Sequence, residues 1–231
     1  MITRKIILTA DGSSTLLIPE WEEAYHSRHG AVQEAFHVFI KNGWKWVKNQ
    51  KEISILEIGF GSGLNALITL LEAKKHKKST SYTGLEKYPL LPKEFHSLNY
   101  ADSLRNFSAY QNIKSTEVKK HYLDLMKCDW ESFQTILPDF QLKKIKTDFL
   151  SFDYPADVYN LVYFDAFGFR VQPELWSHEL FEKIYYAMKT DGVLSTYSCK
   201  GSVRRSLKEI GFKVEKHPGP PGKREMLIAI K

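Results

Sequence analysis

A chain of 231 residues, 43% of them hydrophobic, can bury the core of one α/β domain and is too apolar to be a disordered chain. No apolar run approaches the roughly 20 residues of a membrane helix, the two cysteines and eight histidines follow no metal-ligand spacing, and no secretory apolar segment follows Arg4 and Lys5, so we expect a cytoplasmic protein without metal or membrane span. The formal net charge of +6 favours anionic partners, nucleic acid above all.

In chain order, residues 1–20 alternate apolar and polar around "ADGSS", which predicts a β-hairpin. Residues 21–50 have helical spacing, with Val32, Phe36, Phe39 and Ile40 on one face and a break expected at Gly43. "ISILEIG" predicts a buried strand, "GLNALITLLEAKKH" a helix, and "TSYTGLE" a second strand ending in Glu86. "LPKEFHSLNYA" starts a helix, and residues 98–140 read as mostly helical, with Tyr110, Trp130 and Phe133 expected in the core. "FQLKKIKTDF" and "YNLVYFDAF" are the third and fourth strands, and "PELWSHELFEKIYYAMK" is an amphipathic helix. "TDGVLSTYS" contains the fifth strand, and "SVRRSLKEIG" is a helix closed by Gly211. "FKVEKH" and "REMLIAIK" are the last two strands, joined by "PGPPGK".

Strands and helices alternate from residue 53 to 217, which predicts a parallel sheet with helices on both faces. The last connection is too short for a crossover helix, so the final strand should be antiparallel. A mostly parallel, seven-stranded Rossmann-like sheet ending in an antiparallel strand is the pattern of class I S-adenosylmethionine (SAM)-dependent methyltransferases. We therefore expect an α/β domain over 51–231, with residues 1–50 as an N-terminal extension packed on it.

The glycine loop is Gly59-Phe60-Gly61-Ser62-Gly63. Its third glycine comes one residue too early for the dinucleotide fingerprint, and the loop lacks the lysine of a P-loop. With Glu57 before it, the loop resembles the E-x-G-x-G-x-G motif of SAM-dependent methyltransferases. An acid near the strand end suits a cationic ligand and works against a pyrophosphate. Glu86, at the end of the second strand, is placed to accept hydrogen bonds from ribose hydroxyls. By the same resemblance Asp148 would hold the adenine amino group with Phe149 beside the ring; a plain helix N-cap is the alternative for Asp148. Asp165 ends the fourth strand, where ligands of open α/β sheets sit. A carboxylate there can orient an amine and offset the charge it gains on methylation.

"DAFGFRVQPELWSHELF", "TYSCKGSVRRSLKEIGF" and "GPPGKREML", together with "LEIGFGSGLNAL" and "GLEKYPL", are similar in order and spacing to the methyltransferase domain of the MnmC family. The family methylates the 5-aminomethyl group of 2-thiouridine at the tRNA wobble position, with SAM as cofactor. The resemblance implies that Glu57, Gly59, Gly61, Gly63, Glu86, Asp148 and Phe149 bind SAM and that Asp165 sits at the methyl-transfer point. "YHSRHGAVQEAFHVF" adds Tyr25, Gln33 and Glu34 as cofactor-site candidates. Arg204, Arg205, Lys223 and Arg224 are the candidate RNA contacts. The fused family members carry an oxidase domain that makes the aminomethyl precursor. This chain resembles the stand-alone form, so another enzyme is expected to supply that precursor. The alternatives are a SAM-fold transferase acting on a small amine, by methyl or aminopropyl transfer, and a non-catalytic RNA-binding module.

Overall fold

The computed structural model describes residues 2–231. The chain opens with the expected hairpin. Strands β1 (Lys5–Leu8) and β2 (Ser14–Ile18) pair antiparallel, Lys5 opposite Leu17, and a short β3 (Glu23–Ala24) extends them to three strands.

Helix α1 (Ala31–Ala35) runs without interruption into a π-helical stretch, Phe36–Trp44, and a last turn, α2 (Lys45–Val47). The break expected at Gly43 does not occur. A Cβ at Gly43 would lie 3.0 Å from the Tyr163 ring, so the glycine serves close approach of the helix to the sheet. The widened turns are held by side-chain donors: Ser195 Oγ donates to the Val38 carbonyl at 2.7 Å, and Asn42 Nδ2 to the His37 carbonyl at 2.8 Å.

Then come β4 (Glu52–Ile58), α3 (Leu64–His76), β5 (Ser79–Glu86) and the short helices α4 (Pro92–His96) and α5 (Tyr100–Ser103). Helix α6 (Ser115–Lys127) leads to β6 (Gln134–Leu137) and β7 (Phe140–Lys146). Strand β8 (Tyr159–Phe164), α7 (His178–Ala187), β9 (Met188–Thr196), α8 (Gly201–Ile210), β10 (Lys213–Pro218) and β11 (Glu225–Ile230) complete the chain.

The main sheet has the order β10-β11-β9-β8-β4-β5-β7-β6. The pairs β8/β4, β4/β5, β5/β7 and β8/β9 are parallel, and β11 is antiparallel to both β9 and β10, as the short "PGPPGK" connection requires. The sheet has eight strands rather than seven. Residues 134–137 form a hairpin strand on β7, inside the segment read as helical. Pro138-Asp139, ordinary turn chemistry, was its signal.

Two cores flank the sheet. On one face Ile55, Tyr82 and Tyr163 pack with α3, α6 and the π-helical stretch; Leu16, Val32 and Trp44 of the extension belong to this same core. On the other, Leu56, Val162 and Leu194 pack with α7 and α8. Tyr110 is buried as expected, whereas Phe133 is 49% exposed. Lys144 is fully buried in β7, where its Nζ donates to the Met126 carbonyl at 2.7 Å, which makes it a structural residue. Lys74, Lys75 and His76 form the basic last turn of α3, where the helix dipole favours them. Among the described residues no helix is long and apolar enough to cross a membrane, and no group of three acids, histidines or cysteines could hold a metal.

Candidate cofactor and acceptor site

From β4 the chain reaches β5 on one side and returns through β8 on the other, so a crevice opens at the carboxyl ends of these strands. Backbone bonds set the loop there. The Asp165 N–H donates to the Ile58 carbonyl at 3.0 Å, and the N–H groups of Gly59 and Phe60 both donate to the Leu85 carbonyl. Gly59 has φ +93°, and a Cβ on it would lie 2.7 Å from the Asp165 carbonyl oxygen. Only glycine allows the loop this close to the end of β8.

A cavity of about 280 Å³ fills the crevice, lined by Gly59, Phe60, Gly61, Glu86, Asp148, Phe149, Asp165, Tyr197, Tyr25 and Glu34 among others. In a net basic chain its lining is acidic: Glu22, Glu23, Glu34, Glu86, Asp148, Asp165 and Glu174 face only Arg28, Lys87 and Lys223.

Glu86 is buried and anchored at both oxygens. Its Oε2 accepts from the Gly61 N–H at 2.9 Å and its Oε1 from the Tyr88 N–H at 2.7 Å. Burial still raises its carboxyl above the ordinary value, and each oxygen keeps a lone pair for a further donor. Asp148 is held below its ordinary value by Lys87, whose Nζ lies 2.6 Å away; its Oδ1 accepts from the Leu150 N–H and caps a turn, with no helix following. Phe149 is buried beside it and lines the cavity.

Asp165 is half-buried on the cavity wall. Its Oδ2 accepts from Asn65 Nδ2 at 2.8 Å, and its Oδ1 has no hydrogen-bond partner among the described residues. Burial, with the Glu34 carboxylate next in effect, pushes its carboxyl up to about 7. Glu34 accepts from the Ser27 N–H at 2.6 Å and pairs with Lys223 Nζ at 2.7 Å. That ammonium also lies 3.8 Å from the Tyr197 ring centroid. Tyr25 stacks edge-on against Phe167, and its hydroxyl accepts from Arg4 Nε at 2.8 Å.

Several of the sequence candidates stand elsewhere. Glu57 is 0% exposed and outside the cavity, because the alternation along β4 turns it beneath the loop. Gly63 starts α3 and faces Met126, not the cavity. Gln33 is also outside it, its backbone N–H held by Asp11 Oδ2. Arg204, Arg205 and Arg224 do not line it, and Arg204 and Arg224 lie near Glu225. Lys223 pairs with Glu34 and lines the cavity, with its side chain a third exposed. Asn65, Phe167, Tyr197 and Arg4 were missed. For Asn65 the available signal was a lone amide in the apolar run "GLNAL".

The family whose sequence model matches residues 93–231 is described as S-adenosyl-L-methionine-dependent methyltransferase. The chain is 32% identical over 240 residues to the tRNA 5-methylaminomethyl-2-thiouridine biosynthesis bifunctional protein MnmC of Leptospira interrogans, covering 96% of this chain and 34% of that one. The protein of the same name from Pseudoalteromonas atlantica is 27% identical over 242 residues, covering 99% and 33%. The chain thus spans about a third of the length of the curated relatives it matches. The crystal structure of MNMC2 from Aquifex aeolicus aligns with a TM-score of 0.76 at 26% identity, covering 99% of this chain and 70% of that one.

Proposed function

Because this chain belongs to the S-adenosyl-L-methionine-dependent methyltransferase family, we propose that it methylates the 5-aminomethyl group of wobble 2-thiouridine in tRNA, giving the 5-methylaminomethyl nucleoside. The observation that carries this reading is the place of Asp165: it lines the cavity beside the glycine loop, with one oxygen tied back by Asn65 and the other free.

The residues fit SAM, a cationic ligand with ribose hydroxyls. The cavity is acid-lined, a Cβ at Gly61 would crowd the Tyr25 ring at 3.2 Å, and Glu86 is oriented by two backbone donors. Glu86 would accept the ribose hydroxyls, with Asp148 and Phe149 at the adenine. The cofactor supplies a methyl group on a cationic sulfonium. Asp165 Oδ1 accepts an N–H of the substrate amine and turns its lone pair toward the cavity. A base whose proton affinity lies near the working pH can take the proton that the amine gives up and offsets the charge of the ammonium that methylation forms. Positioning then supplies much of the rate.

For the nucleic acid, the net charge of +6 supplies the long-range attraction. Next to the cavity residue Gly168, Phe169 is 38% exposed with Lys200 Nζ 3.3 Å from its ring centroid, a surface suited to an unstacked base and its phosphate. Arg204, Arg205 and Arg224 are the candidate phosphate contacts outside the cavity. The acceptor amine itself must come from an enzyme that installs an aminomethyl group on uridine.

The test is incubation with labelled SAM and tRNA from cells lacking this methylation, followed by nucleoside mass spectrometry. Label in the 5-methylaminomethyl nucleoside is expected. Label in a small amine, with none in tRNA, would overturn the reading.

A further inference from the structure

One amide in the structure serves two acids. Asn65, one residue into α3 and 4% exposed, donates from Nδ2 to Glu57 Oε1 and to Asp165 Oδ2, each at 2.8 Å. Turning the amide over would set its oxygen against the Asp165 carboxylate, so that contact fixes its orientation. Behind it Glu57 Oε2 faces the buried Tyr82 hydroxyl, and the two have no other partner. Two carboxylates joined through one buried amide do not both ionise readily. Glu57 is the more enclosed, and burial lifts its carboxyl well above the ordinary range, so a charge costs more on Glu57 than on Asp165.

We propose that Asn65, backed by Glu57, is the positioning residue of Asp165. It ties down Oδ2, leaves Oδ1 facing the cavity, and favours the ionised form of Asp165. Glu57 then acts through Asn65 and not on the cofactor, which explains an acid before the glycine loop that never reaches the cavity. The inference rests on the reading of Asp165 as the partner of the methyl acceptor.

The groups around Asp165 are Glu34 from α1, Lys223 from the loop before β11, Tyr197 from the end of β9, and Glu57 and Asn65 from beneath. Asn65→Leu leaves all of these charges in place and removes only the bridge.

The test has an arm that needs no turnover. The Asp165 carboxyl is titrated by carbon-13 NMR in the full chain, with its signal assigned by its loss in Asp165→Asn. Asn65→Leu should raise the midpoint by on the order of one pH unit, because a donor to the charged form is gone. The acid limb of the kcat profile should move by the same amount, with kcat down at least about tenfold and SAM affinity changed by less than about threefold. Asn65→Ser, too short to span both acids, should behave alike and covers the case in which Asn65→Leu does not fold. An unmoved midpoint in either folded variant overturns the proposal. So does lost SAM binding with an unmoved profile, which would assign Asn65 to the cofactor. If the native protein methylates no amine at all, the methyl-transfer reading fails on its own, while the NMR midpoint still decides whether Asn65 governs Asp165.

Discussion

At Asp165 the carboxyl titrates near 7 in the folded chain and near the ordinary 3.9 when unfolded. Between those values the folded protein holds a proton that the unfolded chain has released. Stability therefore falls as pH rises from about 4 to about 7 and is flat beyond. The loss is at most about 1.4 kcal/mol for each pH unit in that window, and solvent in the cavity reduces it. Asp165→Asn should abolish methyl transfer, leave SAM binding nearly intact, and be more stable than the native protein at pH 8 but not at pH 4; thermal unfolding at the two pH values checks it. At Glu86 the expected loss is in cofactor binding instead. Glu86→Gln sets an amide nitrogen against one of two backbone donors and removes a charged acceptor, so SAM should bind about 10- to 100-fold more weakly by calorimetry. Glu86 was legible in the sequence because a strand end followed by a loop marks an acid there. The fate of Glu57 was not: the pattern E-x-G-x-G-x-G carries no information on the side of the loop to which the acid turns.

Among the elements, the N-terminal extension and the segment after β5 are joined by Arg4. Its guanidinium donates to the Tyr25 hydroxyl, to the Tyr88 carbonyl and to Glu94, and the Arg4–Glu94 pair is 5% and 11% exposed. Breaking a buried pair by removing one partner costs about 3–5 kcal/mol. Arg4→Ala should lower the urea midpoint accordingly, speed amide exchange in β1 and β2, and weaken SAM binding through Tyr25. Gly59→Ala tests the other contact. A methyl 2.7 Å from the Asp165 carbonyl, on a backbone at φ +93°, should displace β8's end and reduce kcat more than it reduces stability, measured on the same preparation. Sequence periodicity located all but one strand of the main sheet. It missed β6, whose residues 134–137 lie in a segment dominated by helical spacing, and it placed a break at Gly43 where packing against Tyr163 carries the helix through.

Across the whole molecule a basic chain encloses an acidic cavity, so the cofactor and the proposed RNA should differ in their response to salt. Cofactor affinity should vary little, since burial limits screening, whereas RNA affinity should fall steeply. Replacing Arg204, Arg205 and Arg224 together with Ala should flatten the slope of log affinity against log salt by about two to three, so that native and variant proteins converge at high salt. An unchanged slope would move the RNA surface elsewhere. The alternation of strands and helices, the loop after β4 and the reversed last strand were all determined by the sequence alone, because each follows from spacing within some twenty residues. Which acids meet in the cavity, that Lys223 pairs with Glu34 from 189 residues away, and that Asn65 bridges to Asp165 across 100 were decided only by the tertiary structure. Those contacts depend on how the ends of separate strands converge, and no local pattern of polar and apolar residues encodes that distance.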